Sequence, residues 1–90
     1  MILEKQLEKK VKDYLVKKGG NFIESSISYN FLRENAKQLD GTTKPMHVVS
    51  FQVLIFKDSE ERQNFSIWID VESENLEFLL TPNKVEFINE

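Results

Sequence analysis

Cysteine is absent from the 90 residues. Its absence excludes a disulfide framework, a thiolate nucleophile and a thiolate metal site, and it fits a reducing compartment. His47 is the only histidine, so an imidazole-based zinc site would need carboxylates for most of its ligands. Glycine is confined to Gly19, Gly20 and Gly41. None of them opens a helix after a strand, which excludes a phosphate-cradling loop. No apolar run approaches the ~18 residues of a membrane span. The opening Met1-Ile2-Leu3-Glu4-Lys5 lacks the apolar centre of a signal peptide, and the expected location is the cytoplasm. Arginine is scarce: ten of the twelve basic residues are lysine, the poorer choice for bidentate recognition of phosphates or bases.

What is present suits one small domain. Hydrophobic residues make up 40% and charged residues 30%, ordinary for a soluble fold. The net charge of −3 is unevenly divided. Residues 1–45 hold nine basic against six acidic groups, and residues 46–90 hold three against nine. Such a split steers partners without specifying a fold. The lysine-, asparagine- and isoleucine-rich usage is that of an AT-rich bacterial or mobile-element gene.

Leu3, Leu7, Val11, Tyr14 and Leu15 recur at helical spacing, predicting an amphipathic helix over residues 2–18. Gly19 is placed to close it. Residues 21–29 read as a strand, and 30–39 as a short helix capped by Asn30. The competing reading extends the strand to about Lys37 and makes Asp40-Gly41 a hairpin turn. From Met46 onward, apolar residues at every second position predict strands over 46–56, 65–71, 76–80 and 85–88. Short loops make them antiparallel neighbours. The expected fold is therefore α+β: an N-terminal amphipathic helix packed on one face of a four- to five-stranded antiparallel meander sheet.

Parity predicts a register as well. Ile55 is expected opposite Phe65, Val53 opposite Ile67 and Phe51 opposite Ile69. A turn at Ser73-Glu74 sets Ile69 against Phe78 and Ile67 against Leu80, and one at Pro82-Asn83 sets Leu80 against Val85 and Phe78 against Phe87. This register buries Phe51, Val53, Ile67, Ile69 and Phe78 beneath Leu7 and Val11.

No motif carries chemistry. Ser50, His47 and Asp70 contain the residue types of a nucleophilic triad, with Ser50 expected opposite Asp70. His47, however, points to the other face of a regular strand, and the expectation is a surface histidine at a strand end. Asp70-Val71-Glu72 and Glu8 supply carboxylates such as metal-dependent nucleases use. The Glu-x-Lys element is missing, because Ser73 and Glu74 follow Glu72, so no group orients an attacking water. No catalytic residue, cofactor or metal ligand is assigned, and an enzyme is not expected.

The sheet face turned away from the helix is the expected site. The parity register groups Trp68 with Leu54 and Leu79, beside Gln52, Asp70 and Glu77. A tryptophan and two leucines in a polar surround have the composition of a protein-interface centre. Residues 21–39 are apolar enough to cover that face instead. The last strand, residues 85–88, offers an unpaired edge tempered by Glu86 and Glu90, and a homodimer is one outcome of such an edge. The expected function is a non-enzymatic protein-binding module of inhibitor, immunity or adaptor type. The rival is a nucleic-acid-associated factor using Lys5, Lys9 and Lys12 on the helix, where interleaved acidic residues and missing aromatics argue for a solvated face.

Overall fold

The computed structural model describes residues 2–38, 40–55 and 60–88; Leu39, Phe56 and Glu90, which figure in the expectations above, lie outside them. Helix α1 spans Ile2–Lys18, with Glu4 in its first turn and Lys17 and Lys18 in its last, as the helix dipole favours. Leu7, Val11 and Leu15 form its buried stripe, while Leu3 remains exposed. The helix ends where Gly19, at φ +82°, donates its N–H to the Leu15 carbonyl at 2.9 Å.

Five strands follow: β1 Phe22–Lys37, β2 Thr43–Leu54, β3 Arg62–Asp70, β4 Leu76–Leu80 and β5 Val85–Phe87. They form one antiparallel sheet in chain order, and α1 packs on one face. The cluster beneath the helix unites Leu7, Val11 and Leu15 with Val49, Phe51, Ile67, Ile69, Leu76 and Leu79.

The helix expected over 30–39 is not formed, and strand β1 continues to Lys37. An isolated nine-residue helix is marginal, whereas here Phe31, Leu32 and Arg33 pair with Val48, His47 and Met46, all three buried. Gln38 N–H bonds the Thr42 carbonyl at 2.8 Å across the turn, and Asp40 accepts from Thr42 N–H and hydroxyl at 3.0 and 2.6 Å. The β1–β2 ladder is interrupted three times. One interruption falls where Pro45, lacking an N–H, lies between the pairs Arg33↔Met46 and Ala36↔Lys44. Bulges bend and twist a ribbon.

Two registers differ from expectation. Between β2 and β3, Phe51 faces Phe65 rather than Ile69, and Val49 rather than Val53 faces Ile67. The displacement is four residues, an even step that preserves faces, and it arises because the ladder runs on to Leu54↔Arg62. Between β3 and β4 the change is odd. Ile67 faces Leu79 and Trp68 faces Phe78, then a bulge at Glu77 brings Ile69 opposite Leu76. Leu79 is thus core, and Phe78 turns to the outer face. The cause is the turn. Asp70 organises residues 71–75: its carbonyl accepts from Glu74 N–H at 2.8 Å, its N–H donates to the Asn75 carbonyl at 3.0 Å, and Glu74 sits at φ +59°. The two-residue turn expected at Ser73-Glu74 is replaced by this longer loop. The β4–β5 register is as expected, with Phe78↔Phe87 and Leu80↔Val85.

Candidate functional site

The four ladders place one residue from each strand in a single row across the outer face. Phe31 faces Val48, Val48 faces Trp68, Trp68 faces Phe78 and Phe78 faces Phe87. All five are apolar, four of them aromatic. Trp68 stacks on Phe78 with centroids 5.4 Å apart and planes at 19°, and Phe78 meets Phe87 edge-on at 6.2 Å, both favourable arrangements. Trp68 Nε1 donates to Ser66 Oγ at 3.1 Å, so the indole spends its polar atom within the chain. Val48 is buried, Trp68 and Phe78 half-buried, and the row ends on Phe31 and Phe87 at 46% and 57% exposure.

The row is partly roofed by the chain itself. Strands three and four positions apart in a flat sheet lie about 14 and 19 Å from each other, yet Lys37 and Gln38 of the β1–β2 hairpin share a groove of 230 Å³ with Phe78 of β4 and with Val85 and Phe87 of β5. The bulged hairpin therefore curls over the outer face. Ala36 and Met46 are buried there, and Gln38 Nε2 donates to the Ala36 carbonyl at 2.9 Å and to Met46 Sδ at 3.4 Å. Lys37 and Gln38 thus reach the β4–β5 side of this face, where Val85 and Phe87 still keep about half of their surface exposed.

The residues expected to cluster around Trp68 are dispersed. Leu79 lies on the helix side at 4% exposure, put there by the odd register step. Gln52 and Leu54 share the outer face with Trp68, but sit four and six positions along β2 from Val48, the partner of Trp68, or about 13 and 20 Å away. Gln52 bonds Asn64 and Arg62 instead, both at 3.3 Å. Asp70 and Glu77 remain close to the row and hold Lys44 between them, at 3.5 and 2.7 Å. Phe31 and Phe78 are not among the residues expected around Trp68, whereas Val85 and Phe87 belong to the last strand, whose edge is the expected alternative docking place. Period-2 reading assigns Phe78 to the core, and only the bulge at Glu77 reverses it.

The hydrogen bond from the Lys44 ammonium to Glu77 raises the lysine pKa. Burial pushes the Asp70 carboxyl upward, but donors from Glu72 N–H, the Ser73 hydroxyl and Lys44 outweigh it and hold the group below its usual value. A depressed carboxylate stabilises the fold above its unfolded value of about 3.9 and ceases to do so as pH falls through its folded value. Denaturant midpoints should accordingly show Asp70→Asn weaker than wild type near neutrality, with the gap closing in acid. Parallel midpoint curves would remove Asp70 from the account of this turn.

His47 is buried at 7% exposure on the helix side, not at the surface as expected. Tyr29 Oη lies 2.8 Å from its Nδ1, with rings 5.5 Å apart. Burial, then the negative charge of Glu4, raise the Tyr29 pKa. Glu8 Oε2 accepts the Tyr29 backbone N–H at 2.8 Å, tying α1 to β1. Ser50 faces the other way and bonds Asn30 at 2.9 Å; Asp70 pairs with Met46, not Ser50. The triad residues are not assembled.

On the helix, Lys9 pairs with Asp13 at 3.1 Å and Lys12 with Glu24 at 2.5 Å. Only Lys5 of the three expected phosphate contacts lacks a carboxylate among the described residues. No group of three or more His, Asp or Glu among the described residues could hold a metal ion, and no described helix is long and apolar enough to cross a membrane. Compared with family models, curated proteins and solved structures, the chain matches none at a significant level, so its role rests on its own geometry.

Proposed function

We propose that this chain is a non-enzymatic protein-binding module, of inhibitor, immunity or adaptor type, that acts in the cytoplasm and receives its partner on the outer sheet face. The observation that supports the reading is the apolar row Phe31–Val48–Trp68–Phe78–Phe87, half-covered in its centre and open at both ends. Aromatic anchors surrounded by polar groups dominate protein interfaces energetically. Ser50 and Ser66 on one side, and Lys44, Asp70 and Glu77 on the other, supply such a rim. A nucleic acid is the weaker partner, since carboxylates already occupy Lys9 and Lys12.

The test is capture from the source cell combined with tryptophan fluorescence. A partner retained by wild type is expected to be lost by a Phe31→Asp/Phe87→Asp variant and kept by one carrying Lys5→Gln, Lys9→Gln and Lys12→Gln. Both phenylalanines are about half exposed, so the first variant should fold. Trp68 is the only tryptophan, and its emission should shift blue and lose acrylamide quenching when the partner is added. A partner that ignores the aspartates but needs the lysines would replace this reading with nucleic-acid association, and its affinity would then fall steeply with salt.

A further inference from the structure

The edge of β5 supplies an observation separate from the apolar row. Thr81 N–H bonds the Lys84 carbonyl at 2.9 Å and Ile88 N–H bonds the Glu77 carbonyl at 3.0 Å. Hydrogen-bonded pairs alternate along an antiparallel ladder. With Leu79 opposite Glu86, those pairs are Glu77/Ile88, Leu79/Glu86 and Thr81/Lys84. Val85 and Phe87 therefore direct both N–H and C=O away from β4, and no described strand takes them up. Their side chains are exposed on the outer face.

We propose that two copies of this chain associate through β5, antiparallel about a twofold axis at Glu86, to make one continuous ten-stranded sheet. A three-residue strand with free groups at its first and third positions has one register that uses them all. Val85 of each copy exchanges both hydrogen bonds with Phe87 of the other, four bonds in total, and Glu86 meets Glu86 as the non-bonded pair. On the outer face Val85 lies against Phe87 of the other copy, so the apolar rows join side by side on the same surface.

The charges suit a second copy. Facing glutamates repel, but each Glu86 carboxylate has Lys18 and Lys84 of its own chain 3.9 Å away, and in this register it is diagonal to Lys84 of the other copy. Two carboxylates on the axis are thus ringed by four lysines. The association depends on edge backbone groups and stands whether or not the outer face binds a further protein.

Sedimentation equilibrium on the full chain tests it, with wild type expected to pass from monomer to dimer at concentrations up to about 1 mM. Val85→Pro removes an N–H that makes no bond inside the chain while keeping an apolar side chain. It abolishes two of the four intermolecular bonds, and should raise the dimer dissociation constant about thirty-fold with an unchanged melting temperature in dilute solution. Because the chain has no cysteine, Glu86→Cys introduces a single thiol on the axis, at a separation that a disulfide spans. It should cross-link under mild oxidation, whereas Ser50→Cys should not, and this reading decides the matter if Val85→Pro fails to fold. Wild type remaining monomeric throughout, a dimer indifferent to Val85→Pro, or cross-linking by Ser50→Cys in place of Glu86→Cys would each overturn the proposal. Partner capture lost in Phe31→Asp, on the far strand from this edge, and kept by Val85→Pro, while Glu86→Cys still cross-links, keeps the two conclusions separate.

Discussion

Replacing Ile67 with alanine is expected to cost about 2–5 kcal/mol of folding free energy, a cavity created at the centre of the core. Ile67 has no exposed surface and faces Val49 on one side and Leu79 on the other, within the cluster that Leu7, Val11 and Leu15 close from above. A chain of this length has a typical stability of about 5–13 kcal/mol, so the substitution removes a large share of it. Urea unfolding followed by Trp68 emission reads the loss. Ser66→Ala and Glu77→Ala are the controls: both side chains lie outside the helix-side core, where changes typically stay within about 1 kcal/mol. A mild Ile67→Ala beside a severe Ser66→Ala would mean that the faces of β3 are interchanged.

An aspartate at position 79 should prevent folding at neutral pH, while one at position 80 should be tolerated. The contrast follows from a single backbone step. Leu79 points at the helix with 4% exposure, whereas Leu80 lies on the outer face at 37%. Leu79→Asp forfeits about 1.5–3 kcal/mol of apolar burial. It also places an unpaired carboxylate in the core, a further cost of several kcal/mol. Leu80→Asp puts its charge into water. Far-ultraviolet circular dichroism distinguishes a folded from an unfolded chain directly, and acid should partly restore Leu79→Asp by neutralising the new carboxylate. Folding by Leu79→Asp and failure by Leu80→Asp would reinstate the register that period-2 parity predicts.

That pair of leucines marks where sequence reading stops. Leu76, Phe78 and Leu80 alternate, and alternation alone assigns them to the core. The bulge at Glu77 admits Leu76 and Leu79 instead and turns Phe78 outward to stack on Trp68. Its origin lies in hydrogen bonds around Asp70 that lengthen the turn, and those involve polar residues to which hydrophobic periodicity is blind. Residues 31–37 mislead for a related reason. Their spacing suits a short helix, but their buried partners Met46, His47 and Val48 stand 13 to 17 residues away in the chain.

The helix from Ile2 to Lys18, the alternation of β2 and β3, the antiparallel order and the α+β class were determined by the sequence itself, because periods of 3.6 and 2 over many residues state which side is buried. So was the outward direction of Trp68. Which residues surround that tryptophan was decided only by the tertiary structure. Neighbours across a sheet depend on register, and register depends on the length and hydrogen bonding of each turn and on each bulge. An even displacement between β2 and β3 carried Leu54 and Gln52 away from Trp68, and an odd one between β3 and β4 exchanged Leu79 for Phe78. A strand pattern states a face, and the turns choose the company on it.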